Sequence, residues 1–230
     1  MEFYTLASSS AGNAALVCHE NTHILIDAGI SCRRITQSLA ALSLTLDDLD
    51  GILITHEHID HVRALGTLQK KHAVPLYASI GTAAAISYPA PYLHAFAADE
   101  TFTIKDLQIR SFRTSHDAKE SVGYRIESSD GSLAVLTDTG FITDDAHDAA
   151  LGADMLLLES NHDVVMLKNG GYPYYLKQRI LSEYSPQLAE YTVGRALQAS
   201  GLSVRLSAAP RDTISEVHIC RRSPSFASEN

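Results

Sequence analysis

The six residues His56-Glu57-His58-Ile59-Asp60-His61 hold three imidazoles and two carboxylates. In an extended segment residues i and i+2 project the same way, so His56 and His58 can share one cation. Asp60 and His61 follow about one turn later and can reach a neighbouring position. Imidazole and carboxylate without thiolate suit zinc, and also manganese or iron. Such a cation would activate water for hydrolysis. Two more candidates stand just past predicted strands: His116, beyond residues 107–112, and Asp138, beyond residues 133–136. A carboxylate at Asp138 could bridge two ions, which two-metal sites hold about 3.5–4 Å apart. Taken singly, a His or Asp at a strand end is more often structural; the cluster is what gives these two their weight.

The elements around these residues follow from apolar patterning. Strands are predicted over residues 3–7, 14–17, 23–26 and 51–54, and the histidine cluster comes directly after the last of these. A helix is predicted over 30–42, and a second from the cluster, over 60–72. Residues 74–78 read as a strand and 81–87 as a short helix, after which Pro89 and Pro91 break the chain. A β-rich middle covers 102–104, 107–112, 122–127 and 133–136, with a hairpin turn at Asp130-Gly131. A helix over 143–151 and a buried strand over 155–158 follow. Further helices are predicted over 174–183 and 186–200, with one or two strands in 204–219. Strands bunched in both halves with helices between them predict an α+β fold of four layers, an αββα sandwich. The chain reads as one domain over residues 1–222 with a frayed tail over 223–230.

Composition narrows the function classes. With 45% hydrophobic and 20% charged residues the 230-residue chain has the make-up of a water-soluble globular protein. No apolar run reaches the roughly 18 residues of a membrane span, and the first residues do not resemble a signal peptide. The three cysteines, Cys18, Cys32 and Cys220, form no metal-binding pattern and read as buried thiols in a reducing compartment, so a cytoplasmic location is expected. A net charge of −9 argues against a generally basic nucleic-acid-binding surface. It does not exclude a nuclease, because bound cations reverse the local sign. The pairs Arg33-Arg34, Lys70-Lys71 and Arg221-Arg222 each read as solvated faces. The loop Ser8-Ser9-Ser10-Ala11-Gly12-Asn13 reads either as an ordinary turn or as a phosphate cradle of backbone N–H groups.

The cluster together with His116 and Asp138 resembles the metallo-β-lactamase superfamily. The segments 6–13, 25–29, 122–124, 137–140, 159–163 and 209–212 are similar to its YycJ (WalJ) branch, related to the ribonuclease Z and ribonuclease J nucleases. The resemblance implies a first metal on His56, His58 and His116, and a second on Asp60 and His61 with Asp138 bridging. It also implies a metal-dependent phosphodiesterase, an exonuclease acting on DNA, in which Asp60 and Asp138 take part in catalysis. One or two divalent ions would serve, zinc first among them.

One departure stands out. The branch carries a further ligand histidine in an Ala-His-Leu-Ser segment between its late helices, and this chain has none. Residues 181–184 run straight into 185–189, as if a segment were deleted near 184–185, which would leave the second half of the fold incomplete. His162, after a buried strand, is the candidate substitute ligand, though its ordinary reading is a packing or supporting histidine. Two other functions compete: a thioester or lactone hydrolase of the same superfamily, and a metal-binding protein made inactive by the missing segment.

Overall fold

Apolar side chains alternate along nearly every strand, and the alternation sorts them into three hydrophobic layers. The computed structural model describes residues 1–87, 90–160, 203–205 and 216–221. One sheet holds β1 (Glu2–Ala7), β2 (Ala14–His19), β3 (Thr22–Ile26), β4 (Gly51–Leu53), β5 (Leu76–Ser79) and β6 (Leu93–Phe96), in that order. The strands β1 to β3 are antiparallel, and β3 to β6 are parallel. The other sheet is built from β7 (Thr101–Ile104), β8 (Leu107–Arg113), β9 (Val122–Ser128), β10 (Gly131–Leu136), β11 (Met155–Ser160), β12 (Ser203–Arg205) and β13 (Glu216–Arg221). Its order is β12-β13-β11-β10-β9-β8-β7, antiparallel except for the β10–β11 pair.

Between the sheets lie Val17, Ile24, Ile26 and Leu53 from the first and Ile109, Tyr124, Ile126, Leu133, Val135 and Leu157 from the second. Residues of the opposite parity face outward. Leu16, Leu25, Ile52 and Ile54 pack under the helices α1 (Cys32–Ala41), α2 (Ile59–Val62) and α3 (Leu65–Lys71), through Ile35, Leu39, Val62, Leu65 and Leu68. On the far side, Ala134, Leu136, Leu156 and Leu158 meet Ala146, Ala149 and Ala150 of α5 (Asp144–Ala150). A short α4 (Ile80–Ala85) follows β5. The result is the expected αββα sandwich, because a strand buried on both faces needs apolar partners on each. No helix among the described residues is long and apolar enough to cross a membrane.

Two elements differ from the sequence reading. The helix predicted over 60–72 is divided at Arg63 and Ala64, where the Ala64 N–H donates to the carbonyl of Ala28. The strand β6 was hidden by the flanking prolines; it is an edge strand, where Pro nearby is tolerated. The helices predicted over 174–183 and 186–200, the junction at 184–185, His162, residues 209–212 and the tail 223–230 lie outside the described residues.

Candidate metal centre

Five chain segments end at one rim of the sandwich: the β1–β2 loop and the chain following β3, β4, β8 and β10. The parallel pairing of β3 with β4, in register Ile26 to Leu53, puts Asp27 beside Thr55 and the cluster that follows. The Thr55 N–H donates to Asp27 Oδ1 at 2.9 Å, and the Thr55 hydroxyl donates to Asp27 Oδ2 at 2.9 Å. Behind them the Tyr124 hydroxyl, from the opposite sheet, donates to the carbonyl of Ile54. Both Asp27 (φ 58°) and Asp138 (φ 46°) have left-handed backbones. Non-glycine residues adopt that conformation at a cost, and it turns each carboxylate off its strand end.

Two ligand sets converge. His56 Nε2 lies 3.1 Å from His58 Nδ1, and His116 Nε2 lies 3.2 Å from the same atom. At zinc–nitrogen bonds near 2.0–2.1 Å, the corners of a tetrahedral site stand roughly 3.3–3.4 Å apart, so these nitrogens already have the spacing of one coordination shell. The second set is His56, His61 and Asp138, whose ligand atoms, like those of the first, all lie within 4.8 Å of one another. His61 Nε2 is 2.8 Å from Asp138 Oδ2 and 3.8 Å from Asp60 Oδ2. Asp60 thus stands at the margin of this second set, with 27% of its side chain exposed, whereas His61 is 1% exposed.

Hydrogen bonds decide which nitrogen of His56 and His61 faces inward. His61 Nδ1 donates to Asp27 Oδ2 at 2.8 Å, so Nε2 turns toward Asp60 and Asp138. His56 Nδ1 lies 3.1 Å from the Thr55 hydroxyl, which has given its proton to Asp27, so the ring donates there and presents Nε2. This is the carboxylate–histidine support that metal-ligating imidazoles use. Asn13 closes the site from the β1–β2 loop: its Oδ1 accepts from the Ser9 N–H at 3.1 Å, which leaves Nδ2 facing His61 Nε2 at 3.0 Å. The donor set therefore fits one or two divalent ions, with zinc suited to its nitrogen-rich half.

The protonation of these histidines differs sharply. Burial pushes His56 well below the usual imidazole range, helped by His61, His116 and His58 and opposed by Asp138. Burial likewise lowers His116. Burial acts on His61 in the same direction, yet the carboxylates of Asp27 and Asp138 overcome it and hold the ring well above its ordinary value. Asp138 is held low by His61, against the effect of its burial.

The loop that carries His116 is tied to the first sheet. Glu57 Oε1 accepts from the Lys119 N–H at 2.8 Å, and the Glu120 carbonyl accepts from the Ser79 hydroxyl at 2.7 Å. Glu120 Oε2 accepts from the Gly81 N–H at 2.8 Å. Of the residues expected from sequence, His56, His58, His61, His116 and Asp138 come together, Asp60 flanks them, and His162 lies outside the described residues. The phosphate-cradle reading of the Ser8–Asn13 loop gives way to the turn reading. Four of its N–H groups are already donating: Ser9 to Asn13 Oδ1, Gly12 to the Ser9 carbonyl, Ala11 to the Ser9 hydroxyl, and Asn13 to the Asp60 carbonyl of α2. The supporting roles of Asp27, Thr55, Asn13 and Glu57 were not legible in the sequence. The one available signal was a carboxylate at the end of a strand joined to the next by a helix, since such strands pair in parallel and bring their ends together.

A family model described as a beta-lactamase superfamily domain matches residues 22–170. Exodeoxyribonuclease YycJ of Bacillus anthracis is 37% identical over 188 residues, covering 80% of this chain and 71% of its own. Exodeoxyribonuclease WalJ of Streptococcus pneumoniae is 40% identical over 190 residues, covering 79% of this chain and 70% of its own. The crystal structure of Zn(2+)-bound PqqB from Methylobacterium extorquens superposes with a TM-score of 0.63 at 21% identity, over 75% of this chain and 78% of that one.

Proposed function

The chain belongs to the β-lactamase superfamily, as a metallo-β-lactamase-fold protein closely related to the YycJ and WalJ exonucleases, and from that premise we propose that it is a metal-dependent phosphodiesterase that degrades DNA as an exonuclease. The observation that carries this reading is the pair of interlocked ligand sets, three imidazole nitrogens beside buried His61 and its partner Asp138, in a chain similar to relatives named as exodeoxyribonucleases.

We assign His56, His58 and His116 to the first ion and Asp60, His61 and Asp138 to the second, with Asp138 shared between them. When bound, divalent ions supply Lewis-acid chemistry, acidifying water and drawing charge from phosphate oxygens. The protein's own residues do the rest. Asp27 and Thr55 hold His61 and His56 in the tautomers that present their Nε2 atoms. Asp138, already close to His61 Nε2, places a carboxylate between the two sets, where it can orient an attacking water. Asp60, more open to solvent, is positioned to take up that water's proton. The Asn13 amide, fixed by Ser9, adds one donor at the same rim.

All six assigned residues precede the junction at 184–185, so both sets assemble from residues ahead of it. This supports an active enzyme over an inactive metal-binding one. A cytoplasmic location fits the thiols: Cys18 and Cys32 are free, and burial pushes Cys18 up to about 11.

The test is a substrate comparison on protein loaded with zinc or manganese. Bis-p-nitrophenyl phosphate and end-labelled DNA should both be hydrolysed, the DNA losing nucleotides from an end, while thioesters stay intact. Thioester cleavage without phosphodiester turnover would assign the protein to the small-molecule branch of the superfamily instead.

A further inference from the structure

A cationic track would help an acidic chain hold a polyanion away from the metal centre, and the described residues contain an uninterrupted run of positive charge. Between Asp27 and Asp47, and again between Asp60 and Asp99, the sequence has no acidic residue. Those two stretches hold Arg33, Arg34, Arg63, Lys70 and Lys71, all exposed. The helices α1 and α3 are in contact, and Arg33 and Gln37 of the first line one groove with Thr67 and Lys71 of the second. The carboxylate in that groove, Asp47, is already engaged by His72 Nδ1 at 2.7 Å. None of the five cationic side chains has an ion-pair partner among the described residues, whereas Arg113 and Arg125 of the second sheet pair with Glu120 and Glu127.

A solvated helix face normally interleaves the two charge signs at i±4, which stabilises the helix. These helices forgo that, so repulsion among their cations goes uncompensated. The stripe also has a direction. Thr67 and Lys71 follow one another at i and i+4 on α3, whose first residue comes four positions past His61. At 1.5 Å per residue the seven residues of α3 run about 10 Å onward from the ligand-bearing turn. That is the rise of about three stacked nucleotides.

Resting on the phosphodiesterase reading above, we propose that the groove between α1 and α3, with Arg33 and Lys71 as its cationic contacts, binds the phosphate backbone of a nucleic-acid strand whose end lies at the metal centre. The metal site and the groove thus divide the work: one cuts, the other holds the strand by charge alone and reads no sequence.

The experiment measures binding of a fluorescent, phosphorothioate-linked 20-nucleotide DNA to the metal-loaded protein by anisotropy across a salt series. Arg33→Gln/Lys71→Gln should weaken binding about threefold per lost contact and reduce the slope of log K against log salt by about 1.4, the value for two phosphate contacts to a single strand. Turnover of bis-p-nitrophenyl phosphate, which is too small to reach the groove, should match the wild type. Arg110→Gln, which removes a positive charge from the outer face of the second sheet, should leave the slope unchanged and so controls for net charge. An affinity and slope in the double variant equal to wild type, an equal loss in the Arg110 control, or no oligonucleotide binding by the wild type would each overturn the groove. Loss of the groove with phosphodiester turnover intact leaves the catalytic reading standing. A wild type without phosphodiester turnover overturns both.

Discussion

Two histidines five residues apart, His56 and His61, are driven in opposite directions by their surroundings, and this has a consequence for metal uptake. His56, low through burial and its imidazole neighbours, is uncharged at neutral pH, with its one proton on Nδ1, and offers Nε2 directly. His61, raised by Asp27 and Asp138 despite its burial, keeps a proton until a cation displaces it. A raised value means that the proton is bound at neutral pH, so filling the second position releases it. Affinity there should rise about tenfold per pH unit until the pH passes the value for His61. The first position should vary much less over the same range. Competition against a chelating dye between pH 6.5 and 8.5 should resolve the two dependences, and identical slopes would contradict the assignment. Asp27→Asn removes the carboxylate that orients His61 and should cost about 10- to 100-fold in metal affinity or turnover, measured by the same titration. His58→Ala and Asp138→Ala should each abolish metal-dependent hydrolysis while circular dichroism still reports a folded chain; full activity in either would remove that residue from the site.

At the scale of elements, the ligand-bearing turn is held by its neighbours more than by its own helicity. The helix α2 has four residues, far too few to be stable alone. Its position comes from backbone contacts to two other loops: the Asn13 N–H donates to the Asp60 carbonyl at 2.8 Å, and the Ala28 N–H to the His61 carbonyl at 2.7 Å. Gly29 makes that approach feasible, since a Cβ there would lie 1.4 Å from the Asp60 carbonyl oxygen. Gly29→Ala must therefore push α2 away. It should destabilise the protein by about 1–3 kcal/mol or more and release the second ion. Urea unfolding and metal analysis would report the two effects; a variant as stable as the parent and carrying the same metal would show that the turn yields without cost.

For the whole molecule, what matters is that the residues assigned as ligands come from both sheets. His56, His58 and His61 follow a strand of the first sheet, while His116 and Asp138 follow strands of the second. A bound ion therefore ties the sheets together at one rim, in addition to the apolar layer between them. With metal at about a thousand times its dissociation constant, the folded state gains about 4 kcal/mol. For a chain of this length each kilocalorie raises the midpoint by about 2–4 °C, so zinc should raise the thermal midpoint by about 8–16 °C. Scanning calorimetry with and without chelator measures this, and an unchanged midpoint would mean that the ion does not bridge the two halves.

The sequence by itself determined the ligand types, since the histidines and carboxylates occur in a spacing that few other purposes require. It also indicated the layers, through strands bunched in both halves with helices between them, whereas the structure assigned Leu16 and Val17, Leu25 and Ile26, and Leu156 and Leu157 to opposite faces. A local pattern of this kind reports a residue's own burial and nothing about which strand lies beside it. Only the tertiary structure decided that Asp27 meets His61 across 34 positions and Asn13 meets it across 48. It likewise brought Arg33 and Lys71, each read singly as a solvated charge, into one groove. The physical reason is the same throughout: hydrogen bonds and charge act over a few ångströms of space, and sheet order, not chain distance, sets which groups come that close.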